Sequence, residues 1–397
     1  MKGSSVGANL FALRSHNTAL VLDLLRTAGD RGISRLELAE RTGLTPQAVS
    51  KITARLREDG LAAEAGRQES TGGKPRTTLR LVPEAGHAVG MHLDRDELRT
   101  VLVDLTGTVV GERRAALDLG AGADAVVSAV AREAERLVGE ALGPAADPEP
   151  DSDSGSGWSL GSGWGLGSGS GSLAAYGSLL GLGVALPGPL DHTRGVLHRV
   201  TGFPEWDGFP LRDALAPRLG VPVVVDKDTN AAALGLAVEG EGGSFAYLHL
   251  GTGLGAGLVI GGALHRGART GAGEFGHQVI QLDGPVCPCG NRGCIEVLCL
   301  GAVGREDMEE AARVLGAGAA NLVALLDIDL VLLGGRTVEE APERFVRGVA
   351  GVLEELARRE GAAGGAVPVR VASGGVWGVA VGAAQLLLGP LFGRGDG

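Results

Sequence analysis

Three cysteines within a single short run, Cys287-Pro-Cys289-Gly-Asn-Arg-Gly-Cys294, with His277 ten residues upstream, constrain this chain more than any other feature. Glycines permit the tight turns that bring three thiolates together, and one imidazole completes a tetrahedron. A set of three Cys and one His leaves no vacant position, which describes structural rather than catalytic zinc. The bland alternative is a loop of reduced thiols. A chain of 397 residues with only 4 cysteines has too few for a disulfide framework. Cys299 lies outside the cluster and reads as a packed free thiol.

Charge divides the chain into two parts. The net charge of −11 argues against nucleic-acid binding until it is resolved along the sequence. Residues 1–82 hold 13 Lys+Arg against 8 Asp+Glu, and residues 83–397 hold 23 against 39. A positive terminal segment therefore precedes an acidic body, and such local asymmetry sets phosphate affinity.

The first segment reads as three short helices and a hairpin. Leu20, Val21, Leu24 and Leu25 have helical spacing within Asn17–Thr27. Ser34 is placed as an N-cap with Glu37 as its capping-box partner. Thr45 caps a third helix with Pro46 at its first position. Two strand-like runs, Leu61–Glu64 and Thr77–Leu81, flank a basic Gly-rich tip. This pattern predicts a winged helix-turn-helix over residues 1–82, with Leu36, Leu38, Ala39, Leu44, Val49, Ile52 and Leu56 as its core. Thr45, Gln47, Ser50, Lys51 and Arg55 face outward on the second helix of the motif. Gln47 suits adenine, Thr45 and Ser50 reach bases or phosphates, and Lys51 and Arg55 suit phosphates. Lys74 and Arg76 on the tip fit a narrow minor groove. The competing reading is a small helical module for protein contacts.

From Pro83 the texture becomes short strands alternating with helices, which indicates an α/β body over residues 83–397. A single helix is expected over Val338–Glu360. Residues 147–172, acidic and then Gly/Ser-rich with Trp158 and Trp164, read as a surface insertion; a docking role for the tryptophans is the weaker alternative. Neither a signal peptide near Met1–Leu25 nor a stretch of membrane-spanning length is evident, so a cytoplasmic protein is expected.

Polar residues suited to a polyhydroxylated ligand surround the cysteine cluster. Glu274 and His277 lie in Gly273-Glu-Phe-Gly-His277, and Glu296 follows the last cysteine ligand by two. Carboxylates accept hydrogen bonds from sugar hydroxyls. Asp228 follows a buried-looking strand and opens a helix, a position suited to a general base or, more simply, to a cap. The glycines of Leu250–Gly257 could cradle phosphate, although a lone Gly-x-Gly-x-Gly is weak evidence in a chain with 69 glycines. Gly334-Gly335 fits either a nucleotide approach or a tight turn.

Together these motifs resemble the ROK family (repressor, open reading frame, kinase), and specifically its repressor branch. The resemblance rests on Gly273-Glu-Phe-Gly-His277, on Cys287-x-Cys-Gly-x-x-Gly-Cys294-x-Glu296, on Leu186-Pro-Gly-Pro-Leu-Asp191 and on Asp228-Thr-Asn-Ala-Ala-Ala233. It implies an actin-like two-lobed ATPase fold of the sugar-kinase type behind the winged helix-turn-helix. It further implies a sugar between the lobes, a homodimer or homotetramer, Asp228 at the catalytic-base position, and Glu274, His277 and Glu296 on the sugar. Kinase members carry Asp-x-Gly-Gly-Thr on the first hairpin, and here the run is Asp94-Arg95-Asp96-Glu97-Leu98, with acidic side chains at the glycine positions. Bulk and negative charge there oppose a polyphosphate. Lys227 also stands where family kinases place a sugar-binding Asn. The expected function is a repressor of carbohydrate genes that binds an A·T-rich inverted repeat and responds to a sugar or sugar phosphate. Zn²⁺ would be structural, ATP would not be used, and Asp228 would be vestigial. The alternative is a zinc-containing, ATP-dependent sugar kinase, or a regulator that keeps kinase activity. A third possibility is a regulator that has lost its sugar and answers to a protein partner.

Overall fold

The computed structural model describes residues 16–68, 76–143, 173–200 and 202–394. The insertion at 147–172, with Trp158 and Trp164, and Lys74 on the hairpin tip lie outside them.

The head begins with α1 (His16–Ala28), α2 (Arg35–Thr42) and α3 (Pro46–Glu58). The expected capping box is present at α2. Ser34 Oγ accepts the Glu37 N–H at 3.3 Å, and Glu37 Oε2 accepts the Ser34 N–H at 2.9 Å. Gly43, in the left-handed region, ends α2, and Thr45 Oγ1 caps α3 by accepting from the Ala48 N–H at 3.2 Å. A short β1 (Ile33–Ser34) joins β2 (Ala62–Gln68) and β3 (Arg76–Leu81) in a sheet ordered β1-β3-β2, the wing. β1 is too short to carry a periodic signal. Leu38, Val49 and Leu56 are fully buried, but Leu36 is 43% exposed and does not join the core expected of it. It occupies the second position of α2.

Behind the head, β4 (His87–Leu93), β5 (Glu97–Asp104) and β6 (Val109–Ala116) form an antiparallel meander. After α4 (Ala123–Leu142), β7 (Leu179–Leu186) pairs parallel to β4. The ribbon β8 (Leu190–Asp191) and β9 (Val196–Leu197) and helix α5 (Leu211–Leu219) precede β10 (Val223–Lys227), which pairs parallel to β7. The sheet order is β10-β7-β4-β5-β6. Helix α6 (Asp228–Glu239) then leads into a second sheet on the same plan. Its meander is β11 (Phe245–Leu250), β12 (Leu254–Ile260) and β13 (Ala263–Leu264). Helices α7 (Ile295–Val303) and α8 (Met308–Leu326) precede β14 (Leu330–Gly334), which lies parallel to β11. Helices α9 (Arg336–Glu340) and α10 (Pro342–Glu360) precede β15 (Val369–Val371), parallel to β14. The order β13-β12-β11-β14-β15 repeats that of the first sheet, so the body is two lobes of one topology, as the actin-like expectation requires.

Two expectations about helices need correction. The single helix over Val338–Glu360 is broken, because Pro342 forces Ala341 out of helical geometry (φ −144°, ψ 54°). Further, α11 (Gly378–Leu388) and the short turn Gly389–Phe392 had no place in the sequence reading. Residues Gly375–Phe392 are long and apolar enough to cross a membrane by length and composition, contrary to expectation. Two thirds of this stretch is buried, and α11 packs against β4, β7 and α6. A helix covered on most sides is apolar on most sides, so it shows no amphipathic stripe.

Candidate functional site

The cleft between the lobes is narrow, with a cavity volume of about 80 Å³. Asp228, Glu274, His277 and Glu296, named from the sequence, all line it, with Lys227, Asp94, Arg95, His249 and Thr252. Each is delivered by the end of a regular element. Asp228 is the first residue of α6, directly after β10. Glu296 is in the first turn of α7, with Cys294 as its N-cap residue. Glu274 precedes the short turn Phe275–His277, and His277 ends it.

Glu296 is buried, and its Oε2 accepts the Leu254 N–H at 2.9 Å. The Asp228 carboxylate accepts the Thr229 N–H at 2.6 Å and so satisfies one donor of the first turn of α6, whose N-cap residue is Lys227. Burial pushes the Asp228 carboxyl above the usual carboxylate range, against the opposing pull of His249 and of that backbone bond. Lys227, 3% exposed, donates to the Ala272 carbonyl and to Glu274 Oε1 at 3.1 Å.

His277 also faces the cysteine loop. Its Nδ1 lies 3.7 Å from Cys287 Sγ, and Cys289 Sγ lies 3.7 Å from Cys294 Sγ. The four donor atoms all fall within 4.8 Å of one another. Tetrahedral zinc with Zn–S bonds of about 2.3 Å separates its sulfurs by roughly 3.8 Å, so the set fits that ion. Burial, and after it the neighbouring thiols, push the Cys294 thiol up to about 12. The four residues can therefore hold a metal.

At the mouth of the cleft the first hairpin turns at Asp94–Asp96. Arg336, the first residue of α9 in the second lobe, donates to Asp94 Oδ2 at 3.0 Å and to both oxygens of Asp96 at 2.8 and 3.1 Å. Thr252 Oγ1 adds a bond to Asp94 Oδ1 at 2.8 Å. Glu97, read from the sequence as part of this turn, instead lies in β5 and pairs with Arg99 and Arg114. Sequence reasoning missed Arg336, His249 and Thr252, which reach the cleft from elements far apart in the chain. Only His249, at the end of an apolar strand, had a local signal.

The glycines of Leu250–Gly257 divide in their surroundings: Gly253 lies in the turn before β12 and lines the cleft beside Thr252. Gly255 and Gly257 sit within β12 against α6, where a Cβ on Gly257 would lie 2.1 Å from the Thr229 carbonyl oxygen. Their role is close strand–helix packing.

On α3, Thr45, Gln47, Ser50, Lys51 and Arg55 are all exposed, as expected. Thr45 spends its oxygen on the cap, and Arg55 lies 3.7 Å from Asp59. Arg76 begins β3 opposite Gln68 of β2, at the end of the ribbon next to its tip.

Comparison with known proteins places this geometry. Residues 171–303 match the ROK family, and residues 20–62 match a winged helix-turn-helix DNA-binding family. A ROK-family segment therefore follows a winged helix-turn-helix segment in this chain. Among its relatives, a putative xylose repressor from Caldicellulosiruptor sp. is 27% identical over 79% of this chain and 82% of its own length. The DNA-binding transcriptional dual regulator NagC of Escherichia coli is 28% identical over 76% of this chain and 66% of its own length. A further relative, the xylose repressor of Caldicellulosiruptor bescii, is spanned over 63% of its length, so this chain covers just under two thirds of some curated relatives. A ROK transcriptional regulator described as a homolog of the E. coli MLC protein shares the fold over 95% of this chain and 97% of its own, with a TM-score of 0.71 at 20% identity. A ROK hexokinase from Thermus thermophilus covers 75% of this chain and 96% of its own, with a TM-score of 0.54 at 27% identity. The ROK body of this chain thus has both regulators and kinases among its neighbours, and a head of the DNA-binding kind precedes it.

Proposed function

We propose that this chain is a sugar-responsive, DNA-binding repressor of carbohydrate-metabolism genes that does not transfer phosphate. Residues 1–82 would be the DNA-binding unit and residues 83–397 the effector body. The observation that carries the regulatory reading is the joining of an exposed polar helix, α3, to a cleft lined by Glu274, His277 and Glu296. Gln47 would read a base edge, Lys51 and Arg55 would hold phosphates, Thr45 and Ser50 would assist, and Lys74 and Arg76 would enter the minor groove. The operator would be an A·T-rich inverted repeat bound by a homo-oligomer.

The Arg336 clasp supports the loss of kinase activity. Asp94 and Asp96 stand on the hairpin that family kinases use for ATP phosphates, and their partner is a protein guanidinium. A polyphosphate would have to break that clasp and then face two carboxylates. Asp228 would be a remnant of the base, retained as an acceptor in the first turn of α6 and as a sugar contact.

The effector would be a neutral sugar rather than a sugar phosphate, because the charge of Lys227 is already compensated by Glu274. Zn²⁺ held by His277, Cys287, Cys289 and Cys294 would order the loop and the start of α7, and with them Glu296. Two measurements test the reading. The tagged chain should recover discrete genomic fragments beside sugar genes. Calorimetry with D-xylose, N-acetylglucosamine and related sugars should find one that binds more tightly than its phosphate. Zinc-dependent turnover of ATP with any of them, abolished by Asp228→Asn, would replace this reading with that of a kinase.

A further inference from the structure

We infer that Arg394 is a positioning residue that ties the cleft helix α6 to the DNA-binding head, so that displacement of Asp228 is delivered to α1. This rests on the functional reading above only for what the displacement does to DNA.

Helix α6 starts at Asp228 in the cleft and spans 12 residues, about 18 Å. Its far end carries carbonyls that no later turn of the helix can satisfy. Arg394 Nη1 donates to two of them, Ala237 O at 3.1 Å and Val238 O at 3.3 Å. A cation at this pole also complements the helix dipole. The Nε of the same guanidinium lies 3.5 Å from Asp23 Oδ1, on α1 of the head. Asp23 Oδ1 in turn accepts from Arg26 Nη2 at 3.0 Å, and Arg26 lies over the Phe392 ring, 4.7 Å from its centroid. One side chain therefore touches the tail of the cleft helix and the first helix of the head.

A second, apolar connection runs in parallel. A Cβ on Gly382 of α11 would sit 1.9 Å from the Ala231 carbonyl oxygen of α6, so the two helices meet backbone to backbone. Contacts this close leave no slack for one helix to slide without the other. Beyond α11, Leu391 and Phe392 share one buried cluster with Val21, Leu22 and Leu25 of α1. By contrast, a cavity of about 290 Å³ flanks the tail of α6, lined by Leu234, Ala237, Val238, Leu386, Pro390 and Arg394 among others. The tail of α6 is thus firmly joined to α11 and to Arg394, with open space on a third side. A rigid helix with room at one end is an element that can hold two positions, as coupling between distant sites requires.

The test uses the full chain and two variants, Arg394→Gln and Asp23→Asn; both side chains are partly exposed, so the fold should survive either change. Amide hydrogen exchange on the free chain needs neither DNA nor sugar. Arg394→Gln should speed exchange by about fivefold or more in both 16–28 and the last turn of α6, and Asp23→Asn in 16–28. A change at only one of the two ends, or at neither, overturns the joint. The second arm uses a DNA fragment selected by the wild-type chain from a random pool, with a sugar found by calorimetry. Arg394→Gln should leave sugar affinity within about twofold, yet reduce the effect of sugar on DNA affinity by about fivefold or more. Undiminished coupling in that variant overturns the proposal. Failure of the wild-type chain to select DNA or to bind sugar would instead sink the functional reading, and the exchange arm would still decide the joint.

Discussion

Arg336 Nη2 lies 3.0 Å from Asp94 Oδ2, an ion pair that closes one lobe of the body onto the other. The same guanidinium engages both oxygens of Asp96. Planar, forked donors suit such a double carboxylate contact, and a lysine would not reproduce it. Arg336→Ala should lower stability by about 1 kcal/mol, a modest figure because the pair is partly open to water. It should also open the cleft, seen as a larger radius of gyration in solution scattering. An unchanged radius would mean that packing, not the clasp, holds the lobes together.

The clasp also sets a pH limit. The Arg336 hydrogen bond holds the Asp96 carboxyl below the usual carboxylate range, although burial opposes it slightly. A carboxyl lowered in the folded state favours folding above its ordinary value of about 3.9, and that contribution fades as pH falls through the folded value. Scattering should therefore show a closed cleft at neutral pH that opens only in acid, below about pH 4. Opening between pH 6 and 8 would point to a different group.

Zinc removal should act on the cleft before it acts on the head. The loop of Cys287, Cys289 and Cys294 leads directly into α7, which carries Glu296. Metal analysis should find about one zinc per chain, and Cys294→Ser should remove most of it. Sugar binding should fall sharply in that variant. Non-specific DNA binding at low salt should persist, since α1–α3 lie in a separate part of the fold.

Much of this site was readable in the chain because its residues cluster there: Glu274, His277, the three cysteines and Glu296 fall within 23 positions. Turn and cap chemistry is equally local, which is why Ser34–Glu37 and Thr45–Pro46 were found. Arg336 is different. It meets Asp96 across 240 residues and Asp94 across 242, and a lone Arg after two glycines carries no sign of that. The Leu250–Gly257 run is ambiguous for a related reason. Glycine marks close approach of a backbone, whether the approaching group is a phosphate or a helix, and at Gly257 it is α6. Replacing Gly257 by Ala should therefore cost about 2 kcal/mol or more in thermal or denaturant unfolding, through overpacking against Thr229. A neutral effect would show that β12 and α6 can separate freely.

On α3, the exposed side chains should divide by what they touch. Lys51→Ala should weaken binding to all sequences alike and reduce the slope of log affinity against log salt by about 1. Gln47→Ala should leave that slope unchanged and relax preference at one base position, costing roughly 1–3 kcal/mol of discrimination. Fluorescence anisotropy at several salt concentrations separates the two. Equal salt slopes for both variants and wild type would remove Lys51 from the phosphate contacts.

Lys227 and Glu274 offer the sharpest test of the effector. The ammonium is almost wholly buried, and its compensation comes from Glu274 and a backbone carbonyl. Removing one partner of a buried pair leaves the other uncompensated, at a cost of roughly 3–5 kcal/mol when burial is complete. Glu274 is itself more than a third exposed, so the cost of Glu274→Gln should fall well short of that. Lys227→Met with Glu274→Gln removes both charges, and the double variant should be more stable than Glu274→Gln alone. Its sugar affinity should nevertheless be lost, because Glu274 would no longer accept from a hydroxyl as a carboxylate. Lys227→Asn alone frees that carboxylate and should tighten binding of a neutral sugar while leaving its phosphate weak. Unfolding curves and calorimetry on the four proteins make the comparison. Should Lys227→Asn abolish neutral-sugar binding instead, the ammonium itself would be the contact, and a charged effector would again be the better reading.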